Sequence, residues 1–183
     1  MNPLGTSAIA ITGGAAAMGV GLVFITAGLA KLRSRRVFPG VVANYRLLPE
    51  ALVAPVAFAL PVLECVVGVS LVVGIDLFAA PAIALLLAFA AAMAINIGRG
   101  RAHIDCGCGR SELRQPLSRT LVFRNLALAM LLVPTLVATP SFATAEWLIA
   151  LAGGVALYLL THLVNVLAAL AAGPLATTEG NSR

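Results

Sequence analysis

Leu77-Phe-Ala-Ala-Pro-Ala-Ile-Ala-Leu-Leu-Leu-Ala-Phe-Ala-Ala-Ala-Met-Ala-Ile-Asn-Ile-Gly98 contains no charged side chain. Roughly 20 apolar residues in a helix cross the hydrocarbon core of a bilayer, so this run reads as a transmembrane span. Comparable runs occupy residues 7–30, 52–74, 121–138 and 147–171, which makes five spans. The whole composition agrees: 61% of residues are hydrophobic, 10% are charged and the mean hydropathy is +1.03. Too few polar side chains remain to solvate a globular surface. The expected fold is therefore an all-α integral membrane bundle. Residues 1–172 form its single transmembrane domain, and residues 173–183 form a flexible tail. The first run follows an uncharged N-terminus and exceeds the roughly 7–15 apolar residues of a secretory signal, so it is expected to stay as an anchor.

Charge placement gives an orientation. Lys31, Arg33, Arg35, Arg36 and Arg46 follow the first span; Arg99, Arg101, Arg110, Arg114, Arg119 and Arg124 follow the third; Arg183 lies in the tail. In an alternating path these share one side. The positive-inside rule makes that side cytoplasmic, with the N-terminus outside and the C-terminus inside. The net charge of +5 is thus a topology signal, and no recognition motif accompanies it that would suggest a nucleic-acid partner.

Several polar or small residues sit within the apolar runs. Gly13, Ala17 and Gly21, at four-residue spacing, let another helix approach closely, and packing within the chain is favoured over dimerisation. Pro61, Glu64, Cys65 and Gly68 share one helical face in the second span. A mid-membrane carboxylate is expensive, so Glu64 is expected to point into the bundle and pair, or to be protonated there; its roles are proton carrier or structural tie. Cys65, alone in its span, reads first as a small apolar residue. Tyr158, His162 and Asn165 line a face of the fifth span, while Asn96, Arg124 and Asn125 lie at span ends. Together they suggest a polar cluster near the basic side, with His162 either handling protons or simply packed. Residues 37–50, with Tyr45 and Arg46, suit a segment lying at the interface.

The polar stretch Arg101-Ala-His-Ile-Asp-Cys-Gly-Cys-Gly-Arg110 holds the one tight cysteine pair. A disulfide between Cys106 and Cys108 closes a very small ring, whose strain makes it a better oxidant than a relaxed one. Gly107 and Gly109 supply a permissive backbone. Arg101, His103 and Arg110 favour the thiolate and Asp105 opposes it. A metal site built from His103, Asp105, Cys106 and Cys108 is the weaker reading, because zinc cysteines are usually separated by at least about two residues and no second cluster exists. A glycine-rich turn with two incidental thiols is the plainest alternative.

Ala27-Gly-Leu-Ala-Lys-Leu32, Phe38-Pro39 through Tyr45-Arg-Leu-Leu-Pro49, Leu60-Pro-Val-Leu-Glu64, Asn96-Ile-Gly-Arg-Gly-Arg101 and Asp105-Cys-Gly-Cys-Gly109, with Arg124-Asn125 downstream, resemble the methylamine utilisation protein MauE family. These bacterial membrane proteins are related more distantly to the DoxX group, and the resemblance spans roughly residues 15–165. It implies a role in maturing the small subunit of methylamine dehydrogenase, an exported disulfide-rich client, together with a thioredoxin-like partner, MauD. The basic residues place the cysteines in the cytoplasm, whereas the client lies outside. A relay resolves this: a cytosolic thiol donor reduces Cys106 and Cys108, and Cys65 passes reducing equivalents across the bundle. The alternatives are a quinone-linked thiol oxidase, with the quinone near Glu64 and His162, and a non-enzymatic scaffold that docks the thioredoxin-like protein.

Overall fold

The computed structural model describes residues 3–107, 115–137 and 144–171. The apolar runs are helical because hydrocarbon offers no partner to a backbone N–H or C=O, and a helix satisfies those groups within itself. In chain order the helices are α1 (Pro3–Arg33), α2 (Phe38–Tyr45), α3 (Glu50–Val72), α4 (Ala79–Gly98), α5 (Arg119–Leu132) and α6 (Thr144–Ala171). A 3-10 turn at Asp76–Phe78 precedes α4 and another at Val133–Leu136 follows α5. Among the described residues five helical segments are long and apolar enough to cross a membrane: α1, α3, α4, α6 and α5 continued through its 3-10 turn to Leu136. The chain is an all-α, multi-pass membrane protein.

Local chemistry sets the helix limits. The first turn of α3 begins directly after Pro49, two residues earlier than the apolar run suggests. It stops at Gly74, whose φ of 82° suits glycine; Gly74 N–H donates to Leu71 O at 3.2 Å and Ile75 N–H to Ser70 O at 2.8 Å. α5 is capped by Ser118, whose Oγ accepts from Leu121 N at 3.4 Å. It gives way to the 3-10 turn where Pro134 lacks an N–H to continue the α ladder. The tail expected over residues 173–183 lies outside the described residues.

α1 is the hub of the bundle. Residues Ala16 through Gly21 are buried without interruption, so neighbours surround this stretch. On one side a Cβ at Gly21 would stand 2.8 Å from Gly68 O of α3, and one at Gly68 would stand 2.7 Å from Gly21 O. On another side Gly19 meets Gly154 O of α6 at 2.8 Å in the same sense. Without a hydrophobic driving force between helices in lipid, such backbone proximity maximises dispersion contacts. The stripe Gly13, Ala17 and Gly21 is used within the chain: Gly13 faces Thr135, Ala17 is buried and Gly21 faces α3. Val20, Phe24, Val67, Leu71, Leu86 and Leu132 belong to the apolar core that joins α1, α3, α4 and α5. Phe58, Phe123 and Met130 point outward, as a lipid-facing surface requires.

The face Pro61, Glu64, Cys65 and Gly68 is the one α3 turns toward α1. A Cβ at Gly28 would meet Cys65 Sγ at 2.7 Å and Pro61 O at 2.8 Å. One turn further along α1, Lys31 Nζ donates to both Glu64 carboxylate oxygens at 2.8 Å. Their side chains are 7% and 1% exposed. Charge placement in the sequence assigned Lys31 to the headgroup side, whereas the structure buries it. Glu64 is the reason, since an uncompensated carboxylate in this setting costs more than a paired one. The rings of Phe38 and Phe89 lie 5.9 and 5.8 Å from Lys31 Nζ, close enough for cation–π attraction.

Two expectations follow. Gly68→Val should lower stability by about 2 kcal/mol or more, because the new side chain meets Gly21 backbone, whereas Gly40→Ala should be neutral or slightly stabilising, since a Cβ there meets nothing within 4 Å. Unfolding midpoints in detergent check both. Glu64→Leu or Lys31→Met alone should cost about 3–5 kcal/mol by stranding one charge, and the double variant should recover most of that loss. Additive losses in the double variant would contradict the pairing.

Candidate functional site

The end of α4 determines where the cysteine loop begins. Gly100 has φ 71°, its N–H donates to Ile97 O at 3.0 Å, and Arg101 N–H donates to Asn96 O at 2.9 Å. This pair of bonds ends the helix and turns the chain back on itself. Arg101 then ties two elements together, with Nη1 donating to Asn96 Oδ1 at 3.2 Å and Nη2 to Asn44 O of α2 at 2.7 Å. Asn96 is wholly buried and donates its own Nδ2 to Ala92 O at 3.1 Å. The segment Asn96-Ile-Gly-Arg-Gly-Arg101 thus encodes a helix stop and a clamp on α2.

Beyond the clamp the chain forms a short antiparallel bridge between Asp105 and Pro116. Cys106 N–H donates to Gln115 O at 2.9 Å and Leu117 N–H to Ile104 O at 3.2 Å. Ile104, Cys106 and Leu117 pack with Met93 of α4 and Leu121 of α5 in a small apolar core. Cys106 is 7% exposed. Three further groups fix it in place. Tyr45 of α2 donates its hydroxyl to Cys106 O at 3.1 Å. Asp105 Oδ1 accepts from Gly107 N–H at 3.0 Å, closing a side-chain turn around the cysteine. Gly107 has φ 69°, and a Cβ there would lie 3.0 Å from Val41 Cγ1 and 3.3 Å from Phe38 Cε2. Phe38 therefore lies against the cysteine loop on one side and near Lys31 on another.

A polar seam leads away from the sulfur. Cys106 Sγ lies 3.7 Å from Gln115 Oε1, and Gln115 Nε2 donates to Asn165 O of α6 at 3.1 Å. That second bond orients the amide, leaving its oxygen toward the sulfur. Arg124 of α5 continues the seam through Nη1 to Asn165 Oδ1 and through Nη2 to Asn125 Oδ1 at 3.2 Å. Gln115 and Asn125 are 4% and 2% exposed.

The residues singled out in the sequence thus divide into groups. Cys106, Asp105 and Tyr45 come together in one clamped loop, and Arg124 and Asn125 join it through Gln115 and Asn165. Cys108 lies outside the described residues. His103 is exposed on the loop, and among the described residues no three His, Cys, Asp or Glu side chains gather as a metal site would. Arg46 is exposed and caps α2 in the left-handed region with φ 49°. Glu64 is engaged by Lys31, and Cys65 forms no disulfide and packs on Gly28. His162 is exposed and stacks on Tyr158 with ring centroids 6.3 Å apart, so it takes no part in the seam. Sequence reasoning missed the roles of Lys31 and Gln115, and it assigned Arg101 to the thiolate, whereas the structure uses Arg101 to clamp Asn96 and Asn44. Lys31 had a signal in its spacing from Gly28, Arg101 in the glycine that reverses the chain; Gln115 had none.

Comparison with known proteins places this arrangement. The profile described as methylamine utilisation protein MauE matches residues 8–138. The chain is similar to "Methylamine utilization protein MauE" of Paracoccus denitrificans, with 42% identity over 68% of each chain. It is similar to the proteins of that name from Methylorubrum extorquens, with 38% identity over 60% of each, and from Methylophilus methylotrophus, with 40% identity over 62% of each. The alignments thus span about 60–68% of the length of these three relatives. No solved structure matches the chain. The matched region contains Lys31, Glu64, the clamp on α2 and the cysteine loop, and on these grounds the chain belongs to the methylamine utilisation protein MauE family.

Proposed function

We propose that this protein is a thiol–disulfide factor of the bacterial cytoplasmic membrane, with Cys106 and Cys108 as the exchanging pair. It supports maturation of an exported, disulfide-containing partner, in the manner of methylamine dehydrogenase small-subunit biogenesis, and works with a thioredoxin-like protein such as MauD. The observation that carries this reading is the fixation of Cys106: a tyrosine hydroxyl, a backbone pairing, a side-chain turn and an adjoining left-handed glycine all act on one residue. Membership of a methylamine utilisation family supports the client class.

In the exchange, a thiolate of the donor attacks one sulfur of the Cys106–Cys108 disulfide, and the other sulfur leaves as thiolate. A second donor thiol then resolves the mixed disulfide, so two electrons and two protons enter the pair for each donor disulfide formed, whereas attack by the departed thiol only restores the Cys106–Cys108 disulfide. Because Cys106 is buried, opening of the loop at Gly107 precedes attack on its sulfur by a protein. The basic residues at the end of α1, the end of α4 and the start of α5 support a cytoplasmic position for this loop, with the N-terminus outside. Cys65, in the adjacent span, is the residue through which a relay to the outer face would run. A quinone held between Glu64 and His162 has less support, because Lys31 engages both oxygens of Glu64 and His162 lies on Tyr158.

Single replacements test the pair. Cys106→Ser and Cys108→Ser should each trap a mixed disulfide with the protein that exchanges with the pair, seen as a reductant-sensitive band on a non-reducing gel, and the double variant should trap none. Membrane levels should stay normal in all three. A double Cys→Ala variant that matures the client as well as the parent protein would leave only the docking scaffold. Cys65→Ser separates a relay across the bundle, which it abolishes, from exchange confined to the loop, which it spares.

A further inference from the structure

The seam between α5 and α6 ends in donors that find no acceptor among the described residues. Asn125 is 2% exposed, and among the described residues its Nδ2 has no acceptor; neither has the buried Nε of Arg124. Buried donors without partners are rare in folded proteins and costly. No rearrangement inside the group removes the deficit. Asn125 Oδ1 already accepts from Arg124 Nη2, Asn165 Oδ1 from Arg124 Nη1 and Asn165 O from Gln115 Nε2. Turning the Asn125 amide over would set its NH₂ against Arg124 Nη2, donor facing donor.

The ion pair found among the described residues is Lys31–Glu64, and none joins Arg124. Two donors left open among the described residues, beside a guanidinium that forms no ion pair there, call for an anion with oxygen acceptors. The position narrows its class. Arg124 stands in the second turn of α5, close to the basic end of the bundle formed by Arg99, Arg101 and Arg119, and its neighbour Phe123 is 67% exposed, facing outward. This is headgroup depth for a span that starts at Arg119. Phosphate is the anion a bilayer presents there, and guanidinium binds it through paired N–H donors.

We propose that Arg124 and Asn125 form a binding site for a phosphate oxyanion at the α5–α6 seam, with Arg124 supplying Nε–H and the charge and Asn125 supplying Nδ2–H. The phosphate belongs to the headgroup of an anionic phospholipid or to inorganic phosphate in solution. Through Asn165 and Gln115 the same hydrogen bonds reach Cys106 Sγ, so occupancy of the site braces the cysteine loop from the side opposite Tyr45.

The test uses the full chain in nanodiscs of phosphatidylcholine carrying a small fraction of phosphatidylglycerol, with retained lipid read by native mass spectrometry. Thermal midpoints with and without inorganic phosphate form the second arm. Arg124→Gln removes the charge and Nε. Asn125→Asp keeps the shape, still accepts from Arg124 and supplies the missing counter-charge, so it should fold as well as the parent while taking the ligand's place. The parent protein should retain phosphatidylglycerol over phosphatidylcholine, and each variant should weaken that retention about tenfold. A midpoint raised by inorganic phosphate in the parent but not in Asn125→Asp, without lipid preference, assigns the same site to the soluble ion. If neither lipid retention nor the phosphate response distinguishes the parent from Asn125→Asp, water fills the donors and the proposal is overturned.

Discussion

Two opposite charges inside a hydrocarbon-spanning bundle are the constraint on which the remaining structure hangs. Glu64 can stay ionised at 1% exposure only if a cation meets it, and Lys31 does so with both carboxylate oxygens at 2.8 Å. That requirement fixes the rotation of α3 about its axis and its depth against α1. Gly21 and Gly68 then let the two backbones come together, and Gly28 makes room for Cys65 and Pro61. A buried pair of this kind adds less to stability than its Coulomb attraction suggests, because both groups lose their water. Its effect is to make other registers of α1 and α3 unfavourable, since each would strand a charge.

The same pair influences the cysteine loop through aromatic side chains. Lys31 Nζ lies near the ring of Phe38, and that ring is the floor against which Gly107 packs. Phe89 lies near Lys31 and also borders the apolar core around Cys106. α2 is consequently held at its start by Phe38 and toward its end by Arg101 on Asn44 O, and from its last residue Tyr45 reaches Cys106 O. A two-turn helix with little stability of its own is ordered by these contacts. The loop inherits its geometry from it.

Much of the fold is legible in the sequence because hydropathy and length alone select helices in lipid. The five spans and the use of one α3 face are of this kind. Glu64 could be recognised as needing a partner, yet not which one: a lysine at the end of a span looks the same whether it reaches for headgroups or folds back. In the candidate site, the loop position of Cys106 and Asp105 was legible, whereas Tyr45, read as an interfacial residue, gave no sign that its hydroxyl reaches Cys106 O. Gln115 was not legible either, because its role comes from a backbone pairing with Cys106 across nine residues. His162 shared a helical face with Tyr158 and Asn165, but only Asn165 is turned far enough toward α5 to meet Arg124. Arg46 illustrates a different limit, since nothing in its type announces a left-handed cap.

The central claim, that Cys106 and Cys108 change oxidation state as a pair, is tested most directly by equilibrating native membranes in a series of thiol redox buffers. Each cysteine is then blocked with a mass-tagged alkylating reagent and its modified fraction read by peptide mass spectrometry. The account predicts that Cys106 and Cys108 become modifiable together, along one two-electron transition with a single midpoint. Modification of both cysteines to a constant extent across the whole range, or at separate midpoints, would contradict it.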